Sequence, residues 1–476
     1  MNYVISGKRG IELLDIDGDD HSRSNWIRGT CQYGIMPANG LLYAPPHSCG
    51  CFPEVLVRGF YAMSSRRTGG KRPAEEERLE RGAAFGKVGE ATKPAAQSSW
   101  PTFRGNAKRS ATVNTELAAQ PSETWTAEVG ERLSQPVVSA ETLLVSSLDK
   151  HTVFAFDAET GKARWSRTVG GPVDSPPTIH EGRLCLFGSA DGYVYCLRLS
   201  DGELVWRFQA APADQRTVFW GKIESVWPVH GSVLVLSPST DSGEAVAYVS
   251  AGRASFFDHG MELYGLNPDT GQVLHHHHYE TPQPKFGAGR DAADAESLKK
   301  QYSRHGWTDY KTFYQSDKSR SFSSAAGSLS DVLVGGDADI FLRHKRFGPD
   351  LTKKDEPARH LYAISGFLND MAGEARTAWV LSDQSLNGGT GGGSDRRGGV
   401  HNLLAYDGDS VWAGANIKTR KHLVKIAGSV LQLAPLDSNA KGVTIDLPAP
   451  AVWDGAAAAD GRLYVSIKNG SVVCYE

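Results

Sequence analysis

Val153-Phe-Ala155-Phe-Asp157-Ala-Glu-Thr160-Gly161-Lys-Ala-Arg-Trp165 reads as an alternating strand, a turn ending in glycine, and a second strand that reaches a tryptophan. The same order recurs in Val194-Tyr-Cys196-Leu-Arg198-Leu-Ser-Asp201-Gly202-Glu-Leu-Val-Trp206. It recurs again in Leu263-Tyr-Gly265-Leu-Asn267-Pro-Asp-Thr270-Gly271-Gln-Val-Leu-His275, with histidine in the tryptophan position. Trp125, Trp165 and Trp206 stand 40 and 41 residues apart. Gly161, Gly202 and Gly271 permit the positive φ that closes such a turn. Asp157, Asn267, Thr160 and Thr270 offer side-chain oxygens to the turn amides. The indole is a large flat surface suited to lie against a neighbouring sheet.

A period near forty with several strands per unit and no helical patterning predicts an all-β fold, a β-propeller of four-stranded antiparallel blades. One such sheet cannot bury both its faces alone, so it stacks on its neighbours around an axis. The length allows about seven blades, with six to eight in range. Residues 461–476 stop after a third strand, whereas residues 121–129 read as an outer strand with no inner strands before it. The strand at Trp125 is therefore expected to complete the final blade and close the ring, hiding open edges.

Outside that ring, residues 1–63 read as a partial blade-like β segment. Residues 64–99, with Arg66-Arg67 and Glu75-Glu-Glu-Arg78-Leu-Glu-Arg81, read as a charged linker with room for a short helix. The propeller takes residues 100–476, and 282–302, 346–359 and 387–399 read as loop insertions. Hydrophobic residues at 40 % and charged residues at 22 % describe a globular chain with a real core. Fifty-one Lys and Arg against 54 Asp and Glu leave a net charge of −3, which advertises neither nucleic acid nor an anionic membrane. No apolar run approaches the roughly 18 residues of a membrane span, and the first residues do not pattern as an export signal.

The Ala-x-Asp-x-x-Thr-Gly-x-x-x-Trp pattern of residues 155–165 resembles the tryptophan-docking repeat of quinoprotein-like β-propellers of the pyrroloquinoline-quinone type. Trp100-Pro-Thr-Phe-Arg104-Gly105-Asn106 is similar to the opening segment of many of them. Asp174-Ser-Pro-Pro-Thr178 and Glu224-Ser-Val-Trp227-Pro228 resemble members from planctomycete-type bacteria. The resemblance implies a fold more firmly than a reaction. It also implies a periplasmic or other extracytoplasmic setting. Its quinone enzymes hold pyrroloquinoline quinone with calcium on the axis and use a vicinal cysteine disulfide, and no two cysteines are adjacent here. The expectation is a cofactor-free binding or scaffold module with a protein or polymer partner on its blade loops. The alternative is a quinone-dependent dehydrogenase that oxidises alcohols or sugars.

Candidate ligand residues lie where inner strands would line the axis mouth: Asp174, Glu224, Trp227, Arg253, Arg343 and Asp454. Cys31, His47, Cys49 and Cys51 carry the right donors for zinc or copper, although a disulfide or inert thiols would also use them. Folding residues 184–196 at the turn 189–192 sets Cys185 opposite Cys196, leaving a disulfide or two buried thiols open. His275 to His278 cannot chelate as four, because alternate side chains of a strand point to opposite faces. No nucleophile elbow, phosphate loop, His-Glu-x-x-His or haem-attachment motif occurs. Nothing in the sequence assigns a catalytic residue.

Overall fold

The structure is a computed structural model. It describes residues 97–280 apart from 220, 238–243 and 256–258, and residues 410–476 apart from 414 and 438. It also describes 330–354 apart from 337–338 and 343–344, and strands at 361–363, 379–381 and 404–406. Nearer the N-terminus it describes 3–7, 10–18, 21–24, 26–29, 33–46, 60–64 and 73–89.

Every sheet is antiparallel, and six of them run through residues 137–168, 178–209, 234–279, 334–354, 417–446 and 451–475. Their first strands are Val137–Ser139, Thr178–His180, Leu234–Leu236, Val334–Gly335, Ile417–Lys418 and Ala451–Ala459. These innermost strands are neighbours in the spatial order 417, 451, 137, 178, 234, 334, so consecutive sheets pack side by side. This is the β-propeller architecture that the repeat predicts. The expected seventh blade and the insertions at 282–302 and 387–399 fall largely outside the described residues. Part of the expected insertion 346–359 is sheet instead: Lys345–Phe347 and Lys353–Lys354 are its third and fourth strands.

The repeat works through one recurring contact. A Cβ on Gly161 would lie 2.6 Å from the Trp125 ring, on Gly202 2.6 Å from Trp165, and on Gly271 2.7 Å from Trp206. Each indole of one sheet thus lies on the glycine turn of the next, where φ is +68 to +74°. Trp165 and Trp206 also donate Nε1–H to Leu199 O at 2.7 Å and Pro268 O at 2.9 Å. The equivalent carbonyl for Trp125, Ala158 O, instead accepts from Tyr464 Oη at 3.1 Å. Trp125 Nε1 has no partner among the described residues.

A small residue sits directly opposite each of these rings: Ala155 opposite Trp165, Cys196 opposite Trp206, Gly265 opposite His275 and Cys474 opposite Trp125. A register shift follows immediately in all four pairs, at the same place relative to the ring in each sheet. Glu123–Glu128 is the fourth strand of the 451–475 sheet, as the sequence reading expects. Trp125→Ala is expected to speed hydrogen exchange across residues 461–476 as well as in its own strand. Unchanged protection there would show that the strand contributes nothing to that sheet.

Two expectations are corrected. Cys185 pairs with Leu197, and Leu186 pairs with Cys196, so the hairpin register is one residue from the one expected. Ser189 N–H donates to Tyr193 O and Gly192 N–H to Ser189 O, closing the turn one residue later. A one-residue slip moves a side chain to the other face. Cys185 therefore packs with the 137–168 side of the core and Cys196 with the 234–279 side, and both are free buried thiols.

The second correction concerns 64–99, which is not merely a linker. Glu75–Arg78 forms a 3-10 helix, and Leu79–Arg81 adds a fifth strand beside Leu204–Gln209. Arg78 is buried there, donating to Gln209 O, Ala210 O and Tyr264 Oη at 2.8–3.0 Å. Two three-stranded sheets form from residues 3–24 and 36–64, and Ile11, Ile27 and Ala44 pack with Phe219 and Ala254 of the larger body.

Candidate functional site

The axis of the propeller is filled by chain. Trp100 exchanges two 2.8 Å backbone bonds with Val138, and Pro101 O accepts from Ile179 N–H at 2.7 Å. Ala107 O accepts from Gly335 N–H, and Ala111 and Val113 bond on either side of Lys418. Arg109 donates to Leu333 O at 3.1 Å, to Ser232 O at 3.3 Å and to the Thr102 hydroxyl at 2.6 Å. Arg104 pairs with Asp454 in the sixth inner strand. Residues 100–113 thus bond to five of the six innermost strands and, through Arg109, to Ser232 and Val233 just before the remaining one, Leu234–Leu236, so they lie across the space those strands surround.

That plug needs an unusual backbone. Arg104, Arg109 and Ala111 have φ of +57, +53 and +57°, a region non-glycine residues seldom occupy. Surrounding bonds must hold such residues in place, and these are held by the inner strands. Gly105 has φ +84°, and a Cβ there would lie 3.0 Å from the Trp100 ring.

The charges in the plug are deeply enclosed. Arg104 is 2 % exposed and Asp454 6 %. Burial pushes the Asp454 carboxyl upward against the opposing pull of Arg104, and burial lowers the Arg104 guanidinium. Burial also lowers Arg109, to about 9, so it keeps its charge at neutral pH. Its acceptors are carbonyls and a hydroxyl.

A second polar cluster stands at the end of the axis where the chain enters the inner strands. Asp174 pairs with His230 Nδ1 and accepts from the Ser175 hydroxyl at 2.9 Å. His230 Nε2 faces Arg253 Nη1 at 3.4 Å. Arg253 Nη2 reaches Glu224 at 2.6 Å, and its guanidinium stacks 3.8 Å from the centre of the Phe219 ring. All four charged groups are buried. Phe219 in turn meets Trp26 edge-on at 6.5 Å, so the N-terminal sheets stand over this cluster.

The structure therefore joins three of the expected axis residues, Asp174, Glu224 and Arg253. It adds His230, which sequence reasoning missed. The signal available was its place four residues before the inner strand Leu234–Leu236, the offset Asp174 has from Thr178–His180. Asp454 belongs to the plug instead, with Arg104. Trp227 is packed in the apolar core beside Trp206 and Phe208. Arg343, Cys31, His47, Cys49 and Cys51 lie outside the described residues.

Along the histidine strand, His276 and His278 flank buried Glu262 at 2.6 and 3.3 Å, while His277 turns to the Phe347 ring on the other face. Among the described residues no three of His, Cys, Asp and Glu are placed to hold a metal ion. No helix among them is long and apolar enough to cross a membrane.

Sheet architecture, indole-on-glycine stacking and an axis crossed by chain define a β-propeller of tryptophan-docked repeats. Residues 111–292 match a family model of the pyrroloquinoline-quinone repeat type described as outer membrane protein assembly factor BamB. The chain is similar to BamB from Moraxella catarrhalis at 11 % identity, over 75 % of this chain and 100 % of that one, with a TM-score of 0.33. It is similar to quinohemoprotein alcohol dehydrogenase from Comamonas testosteroni at 12 % identity, over 76 % and 51 %, with a TM-score of 0.33. A europium-containing methanol dehydrogenase matches at 16 % identity over 41 % of this chain, with a TM-score of 0.30, and this chain spans 34 % of its length. No curated protein matches.

Proposed function

We propose that this chain is a cofactor-free quinoprotein-like propeller that works as a binding or scaffold module in an extracytoplasmic compartment. The observation that carries the reading is how the axial charges are used. Asp174, Glu224 and Asp454 each face a buried imidazole or guanidinium of the same chain. Pyrroloquinoline quinone over calcium asks for carboxylate and amide oxygens converging on one cation. Among the described residues these three carboxylates do not fit that group, since they are split between two clusters and each faces a partner within its own.

Recognition then falls to the periphery. Tyr33, Met36 and Phe60 of the N-terminal sheets are exposed, as are Val218 and Ile223, which face each other across one hairpin. Exposed apolar side chains grouped on rigid elements suit a protein partner. The repeat family's description as an assembly factor of outer membrane proteins agrees with this class of role. The net charge of −3 gives no pull toward nucleic acid.

The test is reconstitution of the full chain with pyrroloquinoline quinone and calcium, followed by dye reduction with alcohols and sugars. The expected result is no turnover above a quinone-free blank. Robust turnover would replace this reading with a quinone-dependent dehydrogenase.

A further inference from the structure

Two neighbouring sheets of the propeller end in equivalent outer edges, one covered and one open. In the 178–209 sheet the outer strand Leu204–Gln209 carries the extra strand Leu79–Arg81, with Trp206, Arg207 and Phe208 opposite Arg81, Glu80 and Leu79. Gly82 N–H and Ala84 N–H continue the pairing to Val205 O and Leu204 O. Leu79 packs with Trp206 over the Gly271 turn, and the indole is fully buried. The guanidinium of Arg78 lies over the Phe208 and Tyr264 rings at 5.0 and 5.1 Å.

The outer strand Ala163–Thr168 of the preceding sheet has the same register. Trp165 faces Ala155 as Trp206 faces Cys196, and Arg167 faces Val153 as Phe208 faces Val194. No fifth strand covers this edge among the described residues. Trp165 is left half-buried. Arg167 is half-buried as well, with no hydrogen bond, ion pair or ring contact to another side chain.

An open edge can pair with another strand, and an unpaired guanidinium at its margin favours a carboxylate. Residues 78–84 show that one extended segment can meet an edge, an indole and a position two residues beyond it together. In that segment the charged residue 78 meets Phe208. Where Arg167 replaces Phe208, a cation at the same place would be repelled and an acid held.

We propose that the outer edge of Ala163–Thr168 docks an extended segment of a partner protein, in which a carboxylate pairs with Arg167 and the apolar residue after it packs against Trp165. The proposal rests on the reading of the chain as a binding module and gives that module a class of partner.

Fluorescence anisotropy of the full chain with two labelled peptides tests it, one of residues 73–89 carrying Arg78→Glu and one of the unchanged sequence. The Arg78→Glu peptide is expected to bind and to slow hydrogen exchange of amides 163–168. The unchanged peptide should bind on the order of tenfold more weakly. Arg167→Glu is expected to reverse that order with the thermal midpoint unchanged. No binding of the Arg78→Glu peptide, an order that Arg167→Glu leaves as it was, or protection gained at residues 204–209 in place of 163–168 would overturn the docking edge. Failure here is separable from failure of the module reading: dye turnover after quinone reconstitution removes the module, whereas a silent peptide without turnover removes the edge alone.

Discussion

Asp454→Ala is expected to destabilise the full chain by about 3–5 kcal/mol, because it removes the carboxylate that pairs with Arg104 inside the protein. Arg104 is nearly inaccessible, and its Nε donates to Arg109 O at 3.1 Å. Asn416, the other neighbour of Asp454, is a neutral amide whose Nδ2 lies 3.5 Å away. The double variant Arg104→Met with Asp454→Leu removes both charges and should recover most of the loss, since an apolar pair of similar size often replaces a buried ion pair without cost. Urea unfolding of the three proteins reads this directly. A cost below about 1 kcal/mol for the single variant would mean that water reaches Arg104 and that the plug does not seal the axis.

Trp206→Ala carries the second large effect, about 3–5 kcal/mol, the usual range for truncating a buried aromatic ring. The indole is fully enclosed, with Leu79 and Trp206 both crowding the position a Gly271 side chain would take. Its loss opens a cavity between two sheets, leaves Pro268 O with only the weak Cys196 thiol donor at 3.7 Å and removes the surface under Leu79–Arg81. The same change at Trp125 should cost less, because that ring is half-buried and its N–H makes no bond to lose. Thermal unfolding of both variants ranks them. Equal costs would show that neither the depth of ring burial nor the carbonyl bond sets the strength of the contact.

The parts of the fold legible in the sequence are those encoded at short range. Gly161 and Trp165 lie in one hairpin, and their repetition at forty-residue spacing reveals sheets and stacking together. The hairpin at Cys185 was misread because a turn's length, unlike its location, depends on which carbonyl closes it. Ser189 and Gly192 mark the turn equally well in either register. The axis was legible only in part. Asp174 and Glu224 announce themselves as charges beside inner strands, whereas Arg104 and Asp454 are 350 residues apart in sequence. Arg109 and Leu333 are 224 apart. No local pattern shows that the Trp100 segment lies across the ring. Arg78 was hidden for a related reason, since a charged run reads as solvated until an aromatic groove is known to receive it.

Assigning Glu123–Glu128 to the sheet that ends at Tyr475 has a consequence for biosynthesis. Such a strand emerges from the ribosome long before its partner and must wait, with one edge unsatisfied, until the strands of residues 451–475 have been made. Pairings this distant in sequence are slow to form and leave edges open to aggregation meanwhile. Emergence of residues 451–475 from the ribosome, not any earlier stage of translation, is then the first moment at which that sheet can assemble.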